Sequence, residues 1–460
     1  MVIKMKSQAE QMVEEVRDML LRRDLLYREE ENGAIVITRG KRKSSGVDYY
    51  INKGALSLIK LIELGLSYND IIKYISLEGI SIEEGEEIIK SHLEPLVVDL
   101  KEIAHKMEYR HPEEIKFPVM VAWEITQLCN LSCIYCFSES GPVSPQGYRE
   151  LSTEEIFSVV DKIKGKVLIL WIGGGEPTLR RDLIDILEYM RKNDFYLMLS
   201  TNGVILKDNS DLIKKIADTV DEIHIPLDGS TPEIHNKLRG EFDKVVDVIR
   251  KFVKEGANVS TGAVITKLNL HDVDSMIELA LRLGVSAWVW GPLFPAGRGA
   301  FIKDLMISPK ELVELHSKLI KKSSELKDQL LILSYTPGVT PLRMSKPTTK
   351  CSAVNYFIAL MPNGDVYPCS YLRWKEYRLG NLLKEDLEDI LERPLARIFK
   401  EEHEPEGECK NCPLFLNGYC NTGCKGIKVS SGLSLFDRSP LCSRDIPGSP
   451  LNNLYMELRG

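Results

Sequence analysis

Three closely spaced cysteines directly after an apolar segment constrain this chain more than any other feature. Cys129, Cys133 and Cys136 have the spacing C-x3-C-x2-C, and the apolar segment 119–125 before them predicts a strand. Three thiolates in this arrangement can bind three irons of a cubic iron–sulfur cluster and leave the fourth iron without a protein ligand. Zinc or buried thiols are the alternative, but zinc needs a fourth nearby Cys or His. The nearest histidine, His111, lies upstream of the strand.

This run resembles the cluster motif of radical S-adenosylmethionine (SAM) enzymes. The resemblance implies that the catalytic centre is a [4Fe-4S] cluster on Cys129, Cys133 and Cys136, that its open iron chelates SAM, and that Tyr135 lies beside it. In that family the reduced cluster passes an electron to SAM, and the resulting 5′-deoxyadenosyl radical removes hydrogen from unactivated carbon. The protein orients the reactants and excludes water and oxygen.

Strands and amphipathic helices alternate from residue 119 to about residue 305. The predicted strands are 119–126, 167–172, 195–200, 222–227, 258–266 and 287–292. Parallel strands need crossover connections, so this order predicts an α/β fold with a parallel sheet. Six units are too few for a closed eight-fold barrel and predict a partial (β/α)6 TIM-like barrel, with functional groups at the carboxyl ends of its strands. Ser152 and Glu155 have capping-box spacing and predict the start of the first helix.

A glycine-rich turn with a carboxylate ends the second predicted strand. Its residues Gly174, Gly175, Glu176 and Pro177 allow close backbone approach to a ligand, although taken alone they are more typical of a plain tight βα loop. The turn resembles the Gly-Gly-Glu-Pro motif of the radical SAM family. That resemblance implies a cofactor-binding role toward the methionine amino group of SAM.

Further segments of the same family are similar to the ends of later strands. Ser200 and Asn202, after the third strand, resemble the polar motif that contacts the SAM ribose. The segment 295–299, after the sixth strand, matches one near the adenine, and its glycines alternatively form only a turn.

The fourth strand ends in a segment that departs from the family. Arg239 matches the arginine that faces the SAM carboxylate, whereas Pro226 stands where the family has a serine. For Asp228 and His235, loop capping and a functional role both stay open.

The other seven cysteines form a second group near the C-terminus. They are Cys351, Cys369, Cys409, Cys412, Cys420, Cys424 and Cys442. Their order strongly resembles the SPASM iron–sulfur domain, apart from seven residues instead of five between the second and third of its central cysteines; a zinc ribbon is the alternative. The resemblance implies an outer auxiliary cluster on Cys409, Cys412, Cys420 and Cys442, and an inner one on Cys351, Cys369 and Cys424.

Three details of this region bear on its chemistry. Gly364 predicts a hairpin turn between two short strands. Many relatives place a fourth inner ligand where this chain has Ser345 and Lys346, so the inner cluster is expected to keep an open iron unless a carboxylate such as Asp365 binds it. Ser370 stands where relatives that oxidise sulfatases carry an aspartate base, which argues against that activity.

The first 110 residues predict a small winged-helix-like module. The predicted strands are 34–38 and 47–51, the basic loop is 39–46, and the predicted helices are 53–64, 68–76 and 82 to about 105. This order resembles the RiPP recognition element, related to the chaperone of pyrroloquinoline quinone assembly. The resemblance implies that a precursor leader peptide binds as an added edge strand. A DNA-binding wing with Lys41, Arg42 and Lys43, or a structural cap, is the alternative.

Five segments follow from these patterns. They are the recognition module 1–110, the radical SAM barrel 117–305, a bridging helix and strand 306–345, the SPASM domain 346–448 and a tail 449–460. A net charge of −7 argues against a nucleic-acid partner. All ten cysteines fall in ligand spacings, which favours clusters in a reducing cytoplasm over disulfides, and no apolar run is long enough for a membrane span.

Together these patterns predict an oxidoreductase that matures a ribosomal precursor peptide, using SAM and three [4Fe-4S] clusters. The expected modification is a thioether or carbon–carbon cross-link, and the expected electron donor is a ferredoxin or flavodoxin. One alternative is maturation of a small cofactor, such as a quinone, a tetrapyrrole or a metal–pterin. The other is an iron–sulfur regulator that binds DNA.

Overall fold

The computed structural model describes residues 6–39, 48–77, 79–97, 115–143, 149–326, 328–334, 351–401 and 403–459. The chain forms two compact units. The first comprises Met1–Phe117 with Lys164–Leu168 and Lys192–Tyr196, and the second comprises the rest. No helix within the described ranges is both long and apolar enough to cross a membrane.

The first unit combines a three-stranded antiparallel sheet with four helices. In chain order these are α1 (Gln8–Leu21), β1 (Leu25–Glu30), β2 (Gly33–Thr38), β3 (Asp48–Asn52), α2 (Lys53–Glu63), α3 (Tyr68–Leu77) and α4 (Ile82–Val97). The sheet order is β1-β2-β3, with β2 in the centre. The predicted strands and the starts of all three predicted helices are confirmed, whereas α1 and β1 were not predicted. Most of the predicted basic loop and residues 98–105 lie outside the described residues.

Local signals explain why the helices of this unit begin where they do. The Ser7 side chain accepts a hydrogen bond from the Glu10 amide at the start of α1. The Asn52 side chain does the same for the Ala55 amide at the start of α2. These caps satisfy backbone donors that have no partner inside the helix. The apolar faces of the four helices then pack on one side of the sheet into a single buried core.

The second unit contains the predicted alternation of strands and helices. Its first part runs β4 (Met120–Thr126), α5 (Thr153–Ile163), β5 (Ile169–Gly174), α6 (Leu183–Lys192), β6 (Tyr196–Ser200), α7 (Ser210–Thr219), β7 (Glu222–Pro226), α8 (Pro232–Leu238), α9 (Phe242–Lys254), β8 (Val259–Ile265), α10 (Val273–Leu283) and β9 (Ala287–Pro292). The predicted capping box is present, since Ser152 and Glu155 exchange hydrogen bonds at the start of α5.

The remaining elements extend this sheet at both edges. They are α11 (Pro309–Glu325), β10 (Leu331–Ser334), β11 (Phe357–Leu360), β12 (Asp365–Tyr367), β13 (Gly380–Asn381), α12 (Leu387–Leu391), α13 (Pro394–Lys400), α14 (Pro413–Leu416), α15 (Lys425–Ser430) and α16 (Pro450–Arg459). Within the described residues the sheet has ten strands, in the order β10-β9-β8-β7-β6-β5-β4-β11-β12-β13. The partial TIM-like barrel is therefore present, and its sheet is wider than six strands.

The C-terminal hairpin joins the barrel directly. Strand β11 pairs in parallel with β4 and antiparallel with β12. Gly364 turns the hairpin with φ of +85°, a left-handed conformation that glycine adopts without strain. The predicted hairpin is confirmed, and it continues the same sheet from the strand that precedes the first cysteine loop.

Candidate functional site

The first cysteine loop follows β4 and is held by its backbone. The Cys129 amide donates to the Gly141 carbonyl at 2.9 Å, and the Ile134 amide donates to the Leu238 carbonyl at 3.1 Å. The thiols of Cys129 and Cys133 are buried, whereas that of Cys136 is partly exposed. The loop thus presents three thiols at the carboxyl end of the sheet, where a barrel carries its functional groups.

The glycine-rich turn after β5 packs directly on this loop. The Gly175 and Glu176 amides donate to the carbonyls of Thr126 and Leu128, at 2.8 and 2.7 Å. A Cβ atom on Gly175 would lie 2.1 Å from the Leu128 carbonyl oxygen. Glycine is therefore required here because two backbones touch. Gly174, with φ of +128°, makes the bend before it.

The Glu176 carboxylate ties two neighbouring strand ends together. It is fully buried and accepts hydrogen bonds from the Thr178 amide and hydroxyl, the Thr201 hydroxyl and the Asn202 amide. Burial raises the pKa of this carboxyl, and those hydrogen bonds oppose the rise. Pro177 follows in a buried 3-10 turn. Glu176 therefore braces the turn, and its contact with SAM remains a prediction.

Polar groups at the carboxyl end of β6, the third barrel strand, also contact the cysteine loop. The Asn202 side-chain amide donates to Asn130 Oδ1 at 2.9 Å and lies 3.8 Å from Cys129 Sγ. Ser200 is the half-buried last residue of β6. The structure thus brings Asn202 to the first cysteine.

A buried charge network anchors the aromatic residue between the second and third cysteines. Asp228 is fully buried, and its carboxylate accepts hydrogen bonds from Arg239 Nε at 2.9 Å and from the Tyr135 hydroxyl. Arg239 Nη2 also donates to the Tyr135 hydroxyl at 2.6 Å. Although burial favours the neutral acid, Arg239 and His235 hold the pKa of Asp228 below its ordinary value. This network orients the Tyr135 ring.

His235 supports the same loop through both ring nitrogens. Nδ1 lies 3.0 Å from the Asp228 amide, which donates to it, and Nε2 lies 2.9 Å from the Gly240 carbonyl. Both nitrogens are thus engaged by backbone, which favours the loop-bracing role for His235. Asp228, by contrast, joins Arg239 to the cysteine loop.

The segment after β9 closes over the cysteine loop from the other side. The Arg298 amide donates to the Cys136 carbonyl at 3.0 Å, and Arg298 Nε donates to the Cys133 carbonyl at 2.8 Å. A Cβ on Gly297 would meet the Cys136 carbonyl oxygen at 2.5 Å. Segment 295–299 therefore clamps the loop backbone, beyond forming a turn.

The ten thiols interact in three sets. Burial and then the neighbouring thiols Cys133 and Cys136, with Glu176, raise the pKa of Cys129 to about 11. Burial first, then Cys424 and Cys351, raise the pKa of Cys369.

The third set contains the outer cysteines. Burial, and then Cys442, Cys409 and Cys412, raise the pKa of Cys420 to about 11. In each case the thiols that act on one another belong to one of the sets that the resemblance implies, and the assignment of each set to a cluster stays a prediction. Cys412, Cys420 and Cys442 of the outer set also belong to a small apolar cluster with α14 and α16.

The chemistry of the three sets suits iron–sulfur clusters, because thiolates are the usual ligands of such clusters. Among the residues that the structure describes, no three His, Cys, Asp or Glu side chains converge closely enough to chelate one metal ion.

The structure describes only one of the candidate positions for a fourth ligand of the inner set. Ser345 and Lys346 lie outside the described residues. Asp365, the carboxylate alternative, accepts hydrogen bonds from Arg378 Nε at 2.7 Å and from the side-chain amides of Asn381 and Asn363 at 2.9 and 3.0 Å. The Asp365 carboxylate is thus engaged in hydrogen bonds that hold the hairpin together.

Aromatic rings connect the barrel cysteines with the inner auxiliary set. The Tyr371 ring stacks on Phe294 with centroids 3.8 Å apart, and it lies 5.1 Å from the Phe137 ring. Phe137 directly follows Cys136, and Tyr371 lies two residues after Cys369. This packing sets the position of the two cysteine loops relative to each other.

Sequence reasoning missed several residues of this site. Thr178, Thr201 and Asn130 hold the loops together through side-chain hydrogen bonds. Lys425 directly follows Cys424, and Lys428 donates to Thr422, which lies two residues after Cys420. A signal was present for the lysines, because both follow Cys424 within four residues, but a lysine in a cysteine-rich segment is ordinarily exposed.

Comparisons with known protein families agree with this geometry. Residues 123–280 match the radical SAM superfamily, and residues 351–413 match an iron–sulfur cluster-binding domain of the SPASM type. Both matches include cysteines of the sets described above.

The matches with three characterised relatives span most of each relative's length. The mycofactocin maturase MftC of Mycobacterium tuberculosis is 30% identical over 338 residues, which are 71% of this chain and 83% of the relative. An AdoMet-dependent heme synthase of Methanosarcina barkeri is 26% identical, over 71% of this chain and 96% of the relative. The subtilosin biosynthesis protein AlbA of Bacillus subtilis is 26% identical, over 74% of each chain.

A solved structure shares the fold over nearly the whole chain. SuiB of Streptococcus suis bound to its precursor peptide SuiA has a TM-score of 0.66 at 17% identity, over 91% of this chain and 98% of SuiB. A match this long must include most of the N-terminal unit. With the three thiol sets, the matched family models and a relative at 30% identity, this chain belongs to the radical SAM superfamily and carries a SPASM iron–sulfur domain.

Proposed function

We propose that this enzyme matures a ribosomally synthesised precursor peptide through radical SAM chemistry, forming a thioether or carbon–carbon cross-link. The observation that carries the proposal is the combination, in one chain, of a SAM-type cysteine loop, two auxiliary thiol sets and a separate N-terminal unit with a small antiparallel sheet. The SuiB likeness, which spans this combination, supports the fold that such maturation uses.

The N-terminal unit offers an edge for a peptide. Strand β3 is the last strand in the order β1-β2-β3, and within the described residues it pairs only with β2. Its other side therefore carries backbone donors and acceptors that an extended peptide can complete. A leader segment bound there would hold the precursor on the enzyme while its core is modified.

The barrel residues have defined tasks. A bound [4Fe-4S] cluster and SAM supply a 5′-deoxyadenosyl radical. Cys129, Cys133 and Cys136 would bind the cluster, and Tyr135, held by Asp228 and Arg239, keeps its ring beside that loop. The backbone contacts among the strand-end loops keep these groups rigid, which lets the site orient reactants and exclude water.

The cysteines and the SAM chemistry indicate the cellular compartment and the electron donor. Ten free cysteines would oxidise outside a reducing compartment, so we place the enzyme in the cytoplasm. Cleavage of SAM requires single electrons at low potential, for which a ferredoxin or flavodoxin is the proposed donor.

Maturation of a small cofactor is the second candidate. The heme synthase relative favours it, because this chain covers 96% of that protein's length. The N-terminal unit favours the peptide, since a small tetrapyrrole offers no chain to pair with a strand edge.

The deciding experiment compares substrates on the anaerobically reconstituted enzyme. The substrates are the precursor peptide encoded beside the gene, the same peptide without its leader, and a tetrapyrrole. We expect a mass change and stoichiometric 5′-deoxyadenosine only with the full precursor. A chain lacking residues 1–110 should still cleave SAM without modifying the precursor. Equal processing of the leaderless peptide, or turnover of the tetrapyrrole, would refute the peptide assignment.

A further inference from the structure

Lys428 is a lysine whose side chain is completely buried. Its exposed fraction is 0%, and its ammonium donates to Thr422 Oγ1 at 2.7 Å and to the Leu435 carbonyl at 3.2 Å. Both acceptors are neutral. Among the described residues no carboxylate forms an ion pair with Lys428. A buried cation without a counter-charge is costly, so an anion is expected close by.

The auxiliary cysteines, which are thiolates when they bind a cluster, supply negative charge close to Lys428. Thr422, which accepts the hydrogen bond from the Lys428 ammonium, donates its own amide to Cys420 Sγ of the outer set at 3.3 Å. The Lys428 amide donates to the carbonyl of Cys424 of the inner set at 3.2 Å. Lys428 therefore lies beside cysteines of both auxiliary sets.

Lys425 provides an internal contrast. Lys425 directly follows Cys424 of the inner set, and its ammonium lies 4.9 Å from the centre of the Phe436 ring. Helix α15 carries both lysines, three residues apart and therefore on neighbouring positions of one helix face. Lys425 thus adjoins a cysteine of the inner set, whereas Lys428 adjoins cysteines of both sets.

We propose that Lys428 is a shared positive charge that raises the reduction potentials of both auxiliary clusters. Reduction adds one negative charge to a cluster, and a buried cation nearby stabilises that added charge strongly because little water screens it. The proposal rests on the assignment of the auxiliary clusters. It adds a residue that acts on both clusters without being a ligand of either.

The test is a redox titration of the reconstituted holoenzyme, followed by electron paramagnetic resonance. Lys428→Met should make both auxiliary clusters harder to reduce, by roughly tenfold in the reduced-to-oxidised ratio at a fixed potential, which is 59 mV for one electron. Lys425→Met should shift only the inner cluster. Lys428→Arg, which keeps the charge, and Lys384→Met, an exposed control, should leave both unchanged.

Iron content is measured first, which separates this proposal from the cluster assignment. Normal iron with unchanged potentials in Lys428→Met overturns the proposal and leaves the assignment standing. A shift of one cluster alone also overturns it. If Lys428→Met loses iron, Lys428→Gln replaces it as the neutral variant. Loss of iron in both neutral variants overturns the proposal and makes Lys428 a requirement for assembly instead.

Discussion

The two cysteine fields use the same ligand atom in different electrostatic surroundings. In the barrel, the charges that act on the thiols include the carboxylates of Glu176 and Asp228, balanced by Arg239 and Arg298. In the auxiliary domain, the charges that act on the inner Cys351 include Lys425 and Lys428.

The outer auxiliary thiols have lysine and arginine neighbours, and both arginines also form ion pairs with Glu408 and Asp445. Lys428 and Arg438 act on Cys409, and Arg438 and Arg444 approach Cys442 and Cys412. Cations favour the reduced, more negative state of a cluster, and anions oppose it. The contrast teaches that buried carboxylates fix the geometry of the barrel loop, whereas cations lie beside the auxiliary thiols, as the proposed role of Lys428 requires.

The largest stability effect is expected where the barrel buries its charges. Asp228→Asn leaves the Arg239 guanidinium buried without its carboxylate, and removing one partner of a buried pair costs about 3–5 kcal/mol. Urea denaturation under anaerobic conditions measures the loss. The control is Asp18→Asn, whose pair with Arg22 is exposed and should cost about 0.5 kcal/mol or less. Equal losses in the two variants would contradict the buried network.

A smaller effect tests how tightly the barrel loops touch. Gly175→Ala places a methyl group against the Leu128 carbonyl and should cost about 1–3 kcal/mol, with weaker SAM binding. Gly141→Ala is the matched control in the same region, since its Cβ would meet only Ser132 Oγ, at 3.9 Å. Calorimetric titration measures the SAM affinity of both variants, and urea denaturation measures their free energies of unfolding. Normal SAM affinity in Gly175→Ala would show that the turn does not shape the cofactor site.

The smallest effect is expected at the exposed rim of the auxiliary domain. Arg444 and then Arg438 lower the pKa of Asp445 to about 2. This carboxylate therefore stabilises the fold above its ordinary pKa of 3.8, and the contribution is lost as pH falls toward 2. Because the group is half exposed, Asp445→Asn should cost below about 1 kcal/mol, equally at every pH from neutral to mildly acidic. A loss that changes over that range would place another titrating group in the network.

The sequence predicted local elements well and distant pairings poorly. The alternation of strands and helices fixed the barrel strands to within about two residues, because each strand is a short apolar run between amphipathic helices. Helix α1 was missed, since its segment carries many charges on its exposed face, and only the buried face with Val13 and Val16 marks it. The addition of β10 and β11 to the sheet depends on contacts between distant segments, which no local pattern contains.

For the candidate site, too, local features could be predicted from the sequence and contacts between distant segments could not. The resemblance could assign the ten cysteines to three sets because ligand spacing is a local property of the chain, and that assignment stays a prediction. The bracing of Glu176 by Thr201, and of Asn130 by Asn202, brings together residues from separate strand ends. The burial of Lys428 depends on how the auxiliary loops fold around α15, which spacing does not reveal.

The division of labour between the two cysteine fields is tested most directly by SAM cleavage in two triple variants. One replaces Cys129, Cys133 and Cys136 by alanine, and the other replaces the inner set. We expect the first to lose about four of about twelve irons and all 5′-deoxyadenosine formation, because its cluster is the one with an open iron for SAM. The second should lose iron and product yet still cleave SAM. Cleavage of SAM by the first variant would contradict the assignment of the barrel cysteines.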